Sequence, residues 1–356
     1  MLKHNIFLVT GYEHGPYLCH GKGSICEADY LECSAKQSGE LGTSSEAVDG
    51  IVGFGQANTS ILSQLALSGK VKKIFSHCLD GNKGGGIFAI GEVVQPKVNR
   101  TPLVPNEPHY NVILKAIEVG GQFLNLPTDS FDTGSSRGTI IDSGTTLAYL
   151  PSEVYQQLMN KVTGQQPKME THVVERQFKC FWYRGKGVSR NGIDEDTNRS
   201  NDILDIAPQS DCLGRINMLS DTSLRDGVDD AFPVVIFHFE NSLPLAVYPH
   251  DYLFEVRVRY RVLYRLAEQR NADKGWKRIT LLGDIVLQDK LVLYDLENQT
   301  IGWTPYNCSS TIKVRDEASG NVYSVAAHNI SSAFSLPKVN VVLMLLFIVV
   351  LLKLIE

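Results

Sequence analysis

The 356-residue chain carries seven cysteines but no close pair of them: Cys19, Cys26, Cys33, Cys78, Cys180, Cys212 and Cys308 lie scattered along it. A zinc site draws on short paired spacings, so the pattern argues against a metal centre, and nothing else in the chain implies a cofactor. Strong charge of either sign is also missing. A formal net charge of -5 gives no electrostatic reason to expect nucleic acid as a partner. Near the N-terminus, Ile6 to Val9 is too short an apolar stretch for a signal-peptide core, and no small-residue cleavage site follows it. What is present is a globular composition, 43% hydrophobic and 21% charged with 30 glycines, in a chain long enough for two lobes with cores.

Acceptor sequons begin at Asn58, Asn99, Asn198, Asn298, Asn307 and Asn329, each with Ser or Thr two residues later, which fits N-glycosylation in an oxidising secretory route. The odd cysteine count leaves at least one thiol over, whereas secreted folds normally pair theirs. Toward the C-terminus, Val339 to Leu352 is apolar except at Asn340 and is flanked by Lys338 and Lys353. As a helix it rises only about 21 Å, short of the roughly 30 Å hydrocarbon core. Ser331-Ser332-Ala333 supplies small residues for a lipid-anchor site, although its spacer is shorter than the usual 8 to 12 or so. A GPI anchor, a simple tail anchor and a buried terminal helix all remain open.

Between the ends, short β-branched or aromatic runs alternate with Gly, Pro, Asn and Asp, the texture of an all-β protein. Strands are expected at Gly86 to Gly91, Tyr110 to Val119, Thr139 to Asp142, Val234 to Phe239, Thr280 to Leu282 and Lys290 to Asp295. Helices are expected over Ser60 to Leu67, from its apolar spacing, and from Ser152 through Val162, with Pro151 just before it.

The chemistry concentrates in Ile140-Ile141-Asp142-Ser143-Gly144-Thr145-Thr146. A β-branched run delivers an aspartate into a turn of small hydroxyl residues and glycine, which exposes a carboxylate on a tight loop. Nearby, Phe131-Asp132-Thr133-Gly134 spells a similar motif, but Pro127-Thr128-Asp129-Ser130 precedes it in place of an apolar strand. It reads as a surface loop.

Together with Val48-Asp49-Gly50-Ile51-Val52-Gly53-Phe54-Gly55, Phe75-Ser76-His77-Cys78-Leu79, Gly84-Gly85-Gly86-Ile87-Phe88, Leu281-Leu282-Gly283-Asp284 and Ile301-Gly302-Trp303, the heptapeptide resembles the pepsin-like aspartic proteases of plants, especially their GPI-anchored branch. The resemblance runs from about Cys33 to Cys308. It implies a pepsin-like, all-β fold and aspartic-type endopeptidase activity on peptide or protein substrates. It also implies a place in the secretory pathway or on the outer face of the plasma membrane, held through a C-terminal tail or lipid anchor. Asp142 becomes the catalytic residue, with Ser143, Gly144 and Thr145 supporting its loop and Thr145 placed to hydrogen-bond the carboxylate. Gly144 is expected where a β-carbon would crowd a partner loop. Ile51-Val52-Gly53 and Leu281-Leu282-Gly283 become the strands that thread past the catalytic loop, one per lobe. Cys78 and Cys308 become bridge partners, Cys180 half of a bridge whose mate is gone, and Cys33 a cysteine whose mate lay in a missing lobe.

The same resemblance sets an expectation of impaired chemistry. In the family one carboxylate takes a proton from the attacking water while a second, protonated, donates to the substrate carbonyl oxygen, because two close carboxylates share a proton rather than both ionising. Between Met1 and Val48 no apolar run leads into Asp-Thr-Gly or Asp-Ser-Gly, and Tyr12, Tyr17 and Tyr30 lie in no flap-like context. The expected organisation is an unmatched segment 1–32, a remnant of the N-terminal lobe with interlobe strands over 33–105, and a C-terminal lobe over 106–310 interrupted by a polar insert at 184–229. A spacer, 311–337, and a hydrophobic tail, 338–356, complete it. Arg257 to Arg278 replaces a family strand with a basic stretch. Beside an N-terminally truncated endopeptidase stand two other readings: a non-catalytic pepsin-fold binding or inhibitor-like protein, and a membrane-tethered interaction protein.

Overall fold

The computed structural model describes residues 6–9, 50–81, 84–133, 137–164, 171–174, 178–182, 228–256, 261–264, 266–268, 278–317 and 319–328. Among them β-sheet dominates, as expected for the pepsin-like all-β class. The expectations at Cys19, Cys26, Cys33, Cys212, Asn198 and Asn329, most of the 184–229 insert and the 338–356 tail lie outside the described residues.

The sheet that carries Asp142 has five strands, in the order Leu266–Glu268, Ala148–Leu150, Arg278–Leu282, Arg137–Ile141 and Asn111–Val112. Its centre is parallel, Arg137–Ile141 against Arg278–Leu282, and Gly138 to Ile141 are all buried. A strand covered on both faces needs an uncharged run rather than polar–apolar alternation, which Gly-Thr-Ile-Ile provides. A second five-stranded sheet runs Gly86–Ile90, Ile74–Leu79, Lys290–Asp295, Thr300–Pro305 and Asn99–Pro102. Every residue of Lys290–Asp295 is buried, because this sheet is packed on both sides. Phe75, Val292 and Tyr294 face the main core, while Ile74, Cys78, Leu291 and Leu293 join a second cluster with Ile312 and Val314. That second cluster lies against the three-stranded sheet of Val322–Ala326, Thr311–Arg315 and Glu92–Gln95. Cys78 and Cys308 form a disulfide inside it.

One expected strand divides. Tyr110 to Val119 is two strands: Asn111–Val112 pairs with Thr139 and Ile140 in the site sheet, and Leu114–Val119 pairs with Val235–Phe239 in a four-stranded sheet. The chain crosses between sheets at Ile113, whose carbonyl accepts a hydrogen bond from the Glu240 N–H at 3.0 Å. The apolar triplet Val112-Ile113-Leu114 across the corner carries no mark of it.

The two expected helices form as Ile61–Leu67 and Ser152–Gly164. Ser60 caps the first by accepting the Ser63 N–H at 3.2 Å. The second buries Val154, Tyr155, Leu158, Met159 and Val162, the helical spacing that places one face on the core. Asn58, Asn99, Asn298 and Asn307 are all exposed. In the expected basic stretch, the Arg261–Tyr264 strand pairs with Phe178–Trp182 and sets Leu263 opposite Cys180. At the front of the chain, Ile6–Val9 forms a strand parallel to Gly50–Gly53.

Candidate active site

Asp142 follows directly on the last residue of a buried strand, so its backbone is held before its side chain is considered. Its N–H donates to the Leu282 carbonyl at 3.0 Å, extending the parallel ladder by one residue. The loop then turns: the Thr145 N–H donates back to the Asp142 carbonyl at 3.2 Å. Both carboxylate oxygens are engaged within the loop. Gly144 N–H donates to Asp142 Oδ1 at 2.9 Å, and the Thr145 hydroxyl donates to Oδ2 at 2.7 Å. Hydrogen bonds to an ionised carboxylate are stronger than neutral ones and fix its rotamer. Thr145 thus makes the bond expected of it, Gly144 contributes its N–H, and Ser143 is buried.

Beside this loop a β-carbon has no room at Gly283. A Cβ there meets the carbonyl oxygens of Leu147 at 2.3 Å and Thr145 at 2.4 Å. The backbone of Gly283 is ordinary, with φ of -83°, so glycine is required by space and not by torsion. The Asp284 N–H then donates to the Thr145 carbonyl at 2.7 Å, and Ile285 N–H to that of Thr146 at 3.3 Å. The Leu281-Leu282-Gly283 strand therefore threads past the Asp142 loop and holds it from behind.

Beneath the loop lies an aromatic cluster that sequence reasoning missed. Tyr294 hydrogen-bonds with Ser143 and lies close enough to Asp142 to feel its charge. Its ring stacks on Phe75 at 4.4 Å and meets Tyr110 edge-on at 4.6 Å. Phe54 packs on Phe75 at 5.1 Å. Burial, with the neighbouring Tyr110 and Asp142 adding to it, pushes the Tyr294 phenol well above its ordinary pKa and keeps it neutral. Its oxygen lies 3.2 Å from Nε2 of His77, which is buried on the adjacent strand. The available signal was a histidine and a tyrosine within runs that read as buried strands.

Burial lowers the pKa of His77 to about 4, from about 6.5 in an unfolded chain. Between those values the unfolded chain binds a proton that the folded protein refuses. The stabilising contribution is complete above about pH 6.5 and is lost as pH falls through about 4, roughly 3 kcal/mol in all. Melting temperatures measured from pH 7 to pH 4 are expected to fall less steeply for His77→Gln than for the wild type. Parallel curves would show that His77 does not carry this acid sensitivity.

Asp132 lies on an exposed loop. It follows the 3-10 turn Thr128–Phe131, its side chain is 57% exposed, and the Arg137 guanidinium lies 3.9 Å from both Asp132 and Asp129. Among the described residues no three His, Cys, Asp or Glu side chains converge as a metal site.

An all-β chain that delivers Asp-Ser-Gly-Thr from a buried parallel strand, braced by a second strand ending in glycine, has the fold and loop of an aspartic peptidase. The family model described as eukaryotic aspartyl protease matches residues 25–306, and the chain belongs to that family. It is 46% identical to aspartic proteinase 36 of Arabidopsis thaliana over 85% of its own length and 54% of that protein's. With aspartic proteinase 39 of the same plant the identity is 44%, over 87% and 56% of the two lengths. The chain thus spans about half the length of the curated relatives it matches. The solved structure of edgp is similar in fold, with a TM-score of 0.52 at 17% identity over 75% of this chain and 62% of that one.

Proposed function

We propose that Asp142 is the C-terminal-lobe carboxylate of an aspartic-type endopeptidase site, and that in this chain the site binds peptides but hydrolyses them poorly. The observation that carries the reading is the clamped carboxylate, held by the Gly144 N–H and the Thr145 hydroxyl on a loop braced by Gly283. A group so placed can activate a water. The reaction also needs an acid on the far side of that water, and the Asp142 loop contributes one carboxylate only. The relatives named above are proteinases, which supports peptide or protein as the ligand class. A non-catalytic, peptide-binding pepsin fold is the second reading, favoured by the same single carboxylate.

The buried Cys78–Cys308 disulfide and the exposed sequons at Asn58, Asn99, Asn298 and Asn307 support passage through an oxidising secretory route. The apolar run Val339 to Leu352 supports attachment at the outer face of a membrane, by exchange for a lipid anchor or by direct insertion. Among the described residues no helix is long and apolar enough to cross a membrane. Release of the membrane-bound protein by a phosphatidylinositol-specific phospholipase selects the lipid anchor, and retention selects insertion.

The site itself is tested with a labelled peptide rich in apolar side chains, near pH 5. Cleavage by the wild type is expected to be weak, and Asp142→Asn is expected to reduce it by at least about 100-fold, the range of general acid–base contributions. Asp142→Asn is also expected to weaken binding of the same peptide. Cleavage and binding both unchanged by that substitution would remove Asp142 from the site.

A further inference from the structure

The strand that delivers Asp142 has a counterpart at the front of the chain. Arg137–Ile141 runs parallel to Arg278–Leu282 with Ile141 opposite Leu282, so one further step in register sets Asp142 opposite Gly283. Ile6–Val9 runs parallel to Gly50–Gly53, with Leu8 opposite Val52 and Val9 opposite Gly53. Ile51-Val52-Gly53 and Leu281-Leu282-Gly283 share one pattern, two apolar residues and a glycine. Laying one ladder on the other places Val9 on Asp142. The sequence continues the correspondence: Val9-Thr10-Gly11 sets a small hydroxyl residue and a glycine after Val9, as Ser143-Gly144 follow Asp142.

The two ladders meet at neighbouring points. Phe54 follows Gly53, and its carbonyl accepts the Tyr110 hydroxyl at 2.6 Å. The Tyr110 carbonyl in turn accepts the N–H of Ile141, the residue before Asp142, at 3.0 Å. Phe54 and Tyr110 both pack on Phe75, and Phe75 stacks on the Tyr294 that reaches Ser143. A single aromatic cluster therefore underlies the residue after Gly53 and the loop of Asp142.

We propose that Val9 stands at the second-carboxylate position of the Asp142 site, so that the pair in this chain is one carboxylate and one isopropyl group. This rests on the reading of Asp142 given above. A water beside Asp142 then meets one group that can take its proton and none at the Val9 position that can protonate the substrate carbonyl oxygen. Peptide binds and the carbonyl addition step is slow for want of an acid. Valine continues the apolar, strand-forming run Ile6-Phe7-Leu8, so its presence removes the acid without disturbing the ladder.

The experiment uses the full chain with Val9→Asp, checked for folding by circular dichroism. Hydrolysis of the apolar peptide at pH 5 is expected to rise at least about 100-fold over the wild type. Binding of a peptide analogue with a hydroxymethylene in place of the scissile carbonyl is expected to tighten about tenfold, because its hydroxyl then meets two carboxyl groups. Both gains should vanish in Val9→Asp combined with Asp142→Asn, and Val9→Asn alone should show neither. A folded Val9→Asp protein without either gain, or gains that survive Asp142→Asn, would overturn the proposal. The wild-type comparison with Asp142→Asn tests Asp142 separately, so the two readings fail by different signals. If Val9→Asp does not fold, Val9→Cys with Asp142→Cys is treated with dibromobimane, a bifunctional thiol reagent that bridges two neighbouring cysteines. A mapped cross-link between positions 9 and 142 supports the placement, and its absence in the folded double variant refutes it.

Discussion

Gly283→Ala is expected to collapse the Asp142 loop. The added methyl group meets two carbonyl oxygens, those of Leu147 and Thr145, at 2.3 and 2.4 Å, and both belong to backbone that cannot swing aside as a flexible side-chain end could. Relief requires the loop to lift from the strand, which breaks the bonds from Asp284 N–H to Thr145 and from Ile285 N–H to Thr146. The cost is about 3 kcal/mol, at the upper end of overpacking penalties, because two backbone hydrogen bonds are lost as well. Chemical denaturation should show the loss, and peptide binding should fall with it. Gly69, with φ of +68° and no heavy atom within 4 Å of an added Cβ, is the control: Gly69→Ala is strained by torsion alone, should cost about 1 kcal/mol and should leave peptide binding unchanged. Equal effects at the two glycines would contradict the role assigned to Gly283.

Removing the Cys78–Cys308 bridge is expected to cost about 2–5 kcal/mol. The bridge closes a loop with a sequence separation of 230, so the unfolded chain regains much freedom when it is cut, and both sulfurs sit in a dry cluster with Leu291, Leu293 and Ile312. Replacing both cysteines by alanine leaves no lone thiol. It should lower the melting temperature by about 3–8 °C for a fold of this size. The Asp142 loop is held by other contacts, so peptide binding should persist below the new midpoint. An unshifted melting temperature would show that core packing alone holds the Ile74–Leu79 strand to the Cys308 turn.

Much of the site was legible because its chemistry and its local structure coincide in consecutive residues. Ile140-Ile141 can only be a buried strand end, and Asp142 to Thr145 carries both the carboxylate and the donors that clamp it. The Lys290–Asp295 strand appears with the bounds its apolar run implies. The corner at Ile113 was not legible, since the choice between two sheets is made by Ile140 on one side and by Val235 to Phe239 on the other. Nor was the support from Tyr294 and His77, whose partners lie more than a hundred residues away along the chain. Gly283 was legible as a strand end but not as the point where another backbone passes within van der Waals contact.

By itself the sequence determined the class of fold, the family and the chemical identity of the group on the central loop, because apolar periodicity, turn residues and the Asp-Ser-Gly-Thr order are local properties. Only the tertiary structure decided what holds that carboxylate, the glycine that lets its loop be braced and the aromatic floor beneath it, and which register pairs Val9 with Gly53. Those depend on pairing between distant segments, and a strand's partner is chosen by the whole core rather than by the strand.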